Sequence, residues 1–66
     1  MYEPVKNGER LRELRGEKTR EEVSKATGIG VTSLAMYESG ERNPRDEVKC
    51  ILANYYGKSI ADIFYP

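Results

Sequence analysis

Apolar residues recur along the chain at spacings of three and four, in short runs closed by glycine, proline or a capping side chain. They nowhere alternate with a period of two, so the pattern predicts helices and no strand. The first helix runs roughly from Lys6 to Arg15, with Leu11 and Leu14 on one face and Gly16 ending it. The second opens at Thr19, with Glu22 three residues on as a T-x-x-E capping box, and stops at Gly28. It directs Val23, Ala26 and the methyl of Thr27 inward. The third follows after only Ile29 and Gly30 and closes at Gly40. Pro44 disfavours helix at Asn43, which makes "ERNP" a loop. The fourth starts near Asp46 and ends at Gly57; the fifth is a turn or two from Ser59, with Asp62 three on, finishing in Ile63 and Phe64. Helices joined by links of a few residues give an all-α fold, a compact five-helix bundle.

The second and third helices, about 19–27 and 31–39, meet across a tight glycine turn. Two helices so joined form the helix-turn-helix arrangement, whose second helix can lie in the major groove of DNA while the first crosses the backbone. Any helical hairpin with a glycine link shares that spacing. At about 100° per residue, Leu34 and Tyr37 point one way with Glu38 close beside them. Thr32 and Met36 point the opposite way, flanked by Val31, Ala35 and Ser33. One side therefore docks on the first two helices and the other is free. A glutamate leaning toward the core needs a cation, because an unpaired buried charge costs several kcal/mol; Arg15 at the end of helix one is the candidate.

The composition narrows the choices further. Sixty-six residues make one small domain spanning 1–66, and a chain this short buries only about 60% of the surface it exposes when unfolded. Eleven basic and eleven acidic residues cancel. That balance argues against a non-specific polyanion binder but permits a local basic rim. The one cysteine, Cys50, has no intrachain disulfide partner and reads as a small hydrophobe in a reducing compartment. With no signal-like segment and no apolar run near 18 residues, the expected location is the cytoplasm, with no membrane contact. There is no histidine, no nucleophile beside a base, no phosphate-cradling glycine loop and no metal-ligand spacing. The chain therefore reads as a non-enzyme with no catalytic residue, cofactor, metal or evident small-molecule ligand.

From about Leu11 to Phe64 the chain resembles the phage repressor and Cro helix-turn-helix family, also called the Xre family. The resemblance rests on Leu11, Leu14 and Arg15; Thr19, Glu22 and Val23; Gly28 and Ile29; Leu34, Tyr37, Glu38 and Gly40; then Arg42, Pro44, Gly57, Ser59, Ile63 and Phe64. It implies a lambda-repressor-like DNA-binding domain, an internal ion pair between Arg15 and Glu38, and a homodimer that places two reading helices on adjacent major grooves. It also implies that the first residue of helix two, here Arg20 where glutamine is commoner, braces a phosphate, and that Val31, Thr32, Ser33 and Met36 face bases. Departures accompany the match. The link "GEKT" is shorter than in many members, Gly30 replaces a frequent serine cap, Ser24 a usual alanine, and Thr27 and Lys58 take positions that are often apolar.

From Ile29 to Tyr37 the reading helix has no charged residue and no Asn or Gln. It therefore lacks the bidentate contacts that discriminate guanine and adenine best. Val31, Ala35 and Met36 can still touch thymine methyls, and Thr32 and Ser33 can hydrogen-bond to several base edges. The expectation is an A·T-containing site read with relaxed specificity, the burden falling on phosphates and DNA shape. Arg20, Lys25, Arg42 and Arg45 flank the same face and are the expected phosphate contacts. Four such cations in each subunit of a dimer would give a salt slope on the order of −7. Blander readings stand beside these: Met36 as a gap-filler, Thr32 and Ser33 as solvated hydroxyls. Apolar residues wrap more of helix four than one core stripe needs. Tyr55, with Ile60, Phe64 and Tyr65, is accordingly a possible dimer surface, or else a tyrosine-rich core. The expected function is a regulator, a repressor, that binds double-stranded operator DNA; the alternative is a protein-interaction module on the same fold. The absence of charge from Ile29 to Tyr37 and the zero net charge support it.

Overall fold

Five helices follow one another in the computed structural model, which describes residues 3–66: α1 (Pro4–Arg15), α2 (Arg20–Thr27), α3 (Val31–Ser39), α4 (Asp46–Tyr56) and α5 (Ile60–Phe64). No strand occurs among the described residues. Helix α1 starts two residues before Lys6 because Pro4 sits in its first turn, where a fixed φ suits the helix and a missing N–H costs nothing. Thr19 Oγ1 accepts the Glu22 amide at 3.1 Å to cap α2. In α5 both halves of the capping box form, Ser59 Oγ accepting from the Asp62 amide at 3.0 Å and Asp62 accepting from the Ser59 amide at 3.3 Å.

Leu11, Val23, Ile29, Leu34, Tyr37, Leu52, Ala53, Ile63 and Phe64 form the core, drawn from every helix and from the turn between α2 and α3. Helix α1 lies directly against the C-terminal half of α3 at Gly8. A Cβ there would stand 2.3 Å from the Glu38 carbonyl oxygen and 2.7 Å from that of Tyr37, so only glycine permits this approach. The other side of α1 meets α5, where Arg10 Nε donates to the Ile63 carbonyl at 2.6 Å and its Nη2 to Asn7 Oδ1. Asn7 Nδ2 is buried without a hydrogen-bond partner.

One expected core residue and one candidate dimer-surface residue change places. Ala26 is exposed: α2 turns Val23 inward toward α3 and α4, and a residue about 60° round the wheel with only one methyl does not reach either neighbour. Phe64, expected on a possible dimer surface, is 0% exposed and is among the largest fully buried side chains. The last turn of α5 drives it under α4, which removes it from any outer face.

Candidate nucleic-acid interface

The unit α2–turn–α3 is set by local chemistry at residues 27–30. Gly28 ends α2 with φ 79°, a left-handed conformation open to glycine, and its amide donates to the Ser24 carbonyl at 2.8 Å. Thr27 braces the same corner from the side. Its hydroxyl donates to the Val23 carbonyl at 2.7 Å and accepts the Ile29 amide at 3.2 Å, joining the end of α2 to the residue that plugs the core from the turn. Gly30 then starts α3 with no side-chain cap and with nothing near its would-be Cβ.

Helix α3 has two distinct sides. Leu34, Tyr37 and Glu38 are buried at i, i+3 and i+4. On the other side Val31 is 37% exposed and Thr32 is exposed, while Ser33, Ala35 and Met36 are half-buried. The four candidate base-reading residues thus divide into two open to solvent and two partly recessed. The end of the helix is tied down through Met36, whose carbonyl accepts the Ser39 hydroxyl at 3.1 Å and the Arg42 amide at 3.3 Å.

The candidate cations differ in what they touch. Lys25 is exposed on the last turn of α2. Arg42 and Arg45 border, with Gly30 and Ser33, a shallow groove between the turn and the start of α4, into which Glu47 also faces. Arg42 additionally rests its guanidinium 6.0 Å from the centre of the Tyr37 ring. Arg20 is engaged along one edge: its Nε donates to Glu38 Oε1 at 3.1 Å. Glu38, 4% exposed, is held from the first side by Arg15, with Nε donating to Oε2 at 2.8 Å and Nη2 to Oε1 at 3.1 Å. Arg15 Nη1 donates in addition to the Lys18 carbonyl at 2.7 Å, fastening the α1–α2 link. The hydrogen bonds that Arg15 donates to Glu38 raise the Arg15 pKa above its ordinary value, against the opposing effect of burial. Beside this group Tyr56 is pushed up to about 12, first by burial and then by the charge of Glu38.

The candidate dimer residues outside the core are Tyr55, Ile60 and Tyr65. Tyr55 and Ile60 are half-buried. One side of Tyr55 is occupied by Lys18, whose Nζ lies 4.9 Å from the ring centre, and Tyr56 meets it edge-on at 5.0 Å. Tyr65 is 48% exposed, and its hydroxyl accepts a hydrogen bond from Lys49 Nζ at 2.7 Å. Cys50 is exposed on α4. Among the described residues no cluster of metal-ligating side chains forms and no helix is long and apolar enough to cross a membrane.

Three contributions escape the hydropathy pattern. The second arginine on Glu38 had one signal, an arginine at the first position of α2 where the resembled family more often has glutamine. Thr27 had another, a hydroxyl where an apolar residue is usual. Lys49, 7% exposed, occupies a core position of α4, with Leu52 and Ala53 at i+3 and i+4, so its four-carbon stem follows the helical period although its charge does not. A helix-turn-helix family model matches residues 9–63. Neither the curated proteins nor the solved structures contain a match.

Proposed function

The chain belongs to the Cro/C1-type helix-turn-helix family of DNA-binding regulators, and from that premise we propose that it is a small transcriptional repressor that binds its operator as a homodimer. Helix α3 enters the major groove, with Val31, Thr32, Ser33 and Met36 toward the bases and Lys25, Arg42, Arg45 and the outer edge of Arg20 toward phosphates. The observation that carries this reading is the sidedness of α3: Leu34, Tyr37 and Glu38 are buried while Val31 and Thr32 stay open. A surface of methyls and hydroxyls favours thymine methyl contacts and tolerant hydrogen bonding, hence an A·T-containing site. The dimer draws on Ile60 and Tyr65 with the outer side of Tyr55, without Phe64.

Selection of binding sites from a random DNA pool tests the reading. Wild type is expected to enrich A·T-containing sites, and Thr32→Ala and Met36→Ala to enrich different ones. Identical pools from all three proteins would remove α3 from base recognition. The outer side of α3, with no charged residue from Val31 to Tyr37, also favours a second reading, a protein-interaction module that has lost its hold on DNA. A failure of the wild type to enrich any duplex would select it.

A further inference from the structure

Glu38 carries one negative charge and touches two arginines, so the group Arg15–Glu38–Arg20 holds a surplus of one positive charge. Where that surplus can act follows from the bonds. Arg15 is spent inside the protein: Nε and Nη2 lie on the carboxylate at 2.8 and 3.1 Å, and Nη1 lies on the Lys18 carbonyl at 2.7 Å. Its side chain is only 16% exposed. Arg20 leans on the carboxylate with one edge, Nε and Nη2 both 3.1 Å from Oε1, and its side chain is 36% exposed. A guanidinium is a planar fork with two usable edges. The Nη1–Nη2 edge of Arg20 is the remaining outlet for the group's net charge, at the first residue of α2.

We propose that Glu38 is a positioning residue for DNA binding: it grips the Nε–Nη2 edge of Arg20 so that the adjoining Nη1–Nη2 edge is presented, already oriented, to a single backbone phosphate. The proposal rests on the reading of Arg20 as a phosphate contact. Glu38 thereby serves recognition from the buried side of α3, with Arg15 neutralising it so that Arg20 keeps its charge for the DNA. The arrangement requires arginine. A lysine ammonium is a point donor and cannot hold the carboxylate through one planar edge while offering an adjoining edge to a phosphate.

The test compares wild type with Arg20→Gln, Arg20→Lys and Glu38→Gln, using a labelled duplex recovered from the wild-type selection. Affinity is measured over a range of salt, and far-UV circular dichroism verifies that each variant is folded at the assay temperature. Arg20→Gln should weaken binding and lower the magnitude of the salt slope by about 0.9 for each subunit bound. Arg20→Lys should weaken binding on the order of tenfold while keeping the wild-type slope. Glu38→Gln gives the sharpest contrast. Removing a negative charge beside the interface should tighten binding if charge alone mattered, whereas loss of the grip on Arg20 should loosen it, on the order of tenfold, in a variant that remains folded. If Glu38→Gln is unfolded, Arg20→Lys decides. Arg20→Lys matching wild type, or folded Glu38→Gln binding as tightly or more tightly, overturns the positioning role. No effect of Arg20→Gln on affinity or slope overturns the phosphate reading as well.

Discussion

Replacing Gly8 by alanine isolates the close crossing of α1 and α3. An alanine is better than glycine inside a helix by about 1 kcal/mol, so α1 taken alone would gain. The packing opposes it. The new methyl would lie 2.3 Å from the Glu38 carbonyl oxygen, 2.7 Å from the Glu38 carbonyl carbon and 2.7 Å from the Tyr37 carbonyl oxygen, all backbone atoms that no rotamer change can move aside. To restore ordinary contact, α1 must withdraw from α3 by roughly 1 Å, a gap that forfeits a quarter to a half of each dispersion contact across it. Leu11, on the following turn of α1, is buried in the same core and would lose contacts with it. Overpacking of this kind costs about 1–3 kcal/mol and sometimes more. A clash with backbone falls at the upper end of that range, so after subtracting the propensity gain of about 1 kcal/mol, Gly8→Ala should destabilise by about 2 kcal/mol, in a domain whose length suggests only roughly 3–10 kcal/mol in total. Urea unfolding followed by circular dichroism reads this directly as a lower midpoint. In thermal unfolding the same loss lowers the Tm by about 4–8 °C per kcal/mol. A variant as stable as wild type, or more so, would show that helix propensity outweighs the crossing and that the tight approach contributes nothing.

Two further outcomes follow from bonds already described. Thr27→Val keeps the shape but strands the Ile29 amide at the turn, so it should cost about 1–2 kcal/mol; urea midpoints that coincide with wild type would remove Thr27 as a brace. Tyr56, raised from 10 to about 12, favours its neutral form in the folded chain. Its contribution is complete below pH about 10 and is lost as pH rises through about 12, amounting to no more than about 1 kcal/mol once solvent screening at a half-exposed ring is allowed for. Stability measured across that interval should fall less for Tyr56→Phe than for wild type, and parallel curves would refute the assignment.

The two-sided α3 was legible because its pattern is local: Leu34, Tyr37 and Glu38 recur at i, i+3 and i+4, and a glutamate beside two core residues demands a cation. Arg15 stands there at 2.8 Å. The positions of Ala26 and Phe64 were not legible, for different reasons. The α2 wheel puts Ala26 near the inward side, but a methyl makes contact only if the neighbour comes close, which is a matter of helix spacing. α5 is five residues long, too short for periodicity to say which of Ile63, Phe64 and Tyr65 faces in. The allegiance of Arg20 depends on a long side chain folding back onto a carboxylate 18 residues away. Gly8 carried no pattern at all, since a close crossing becomes visible only when two helices are placed together.

The clasp between Arg10 and the Ile63 carbonyl joins positions 53 residues apart. On a ribosome the first helix is therefore made long before the backbone oxygen that completes its contacts exists. A nascent chain halted ahead of Ile63 would carry α2, the turn and α3 in full, yet leave α1 open along the flank that α5 covers. Closure is deferred until α5 has emerged, rather than proceeding stepwise from the first helix onward.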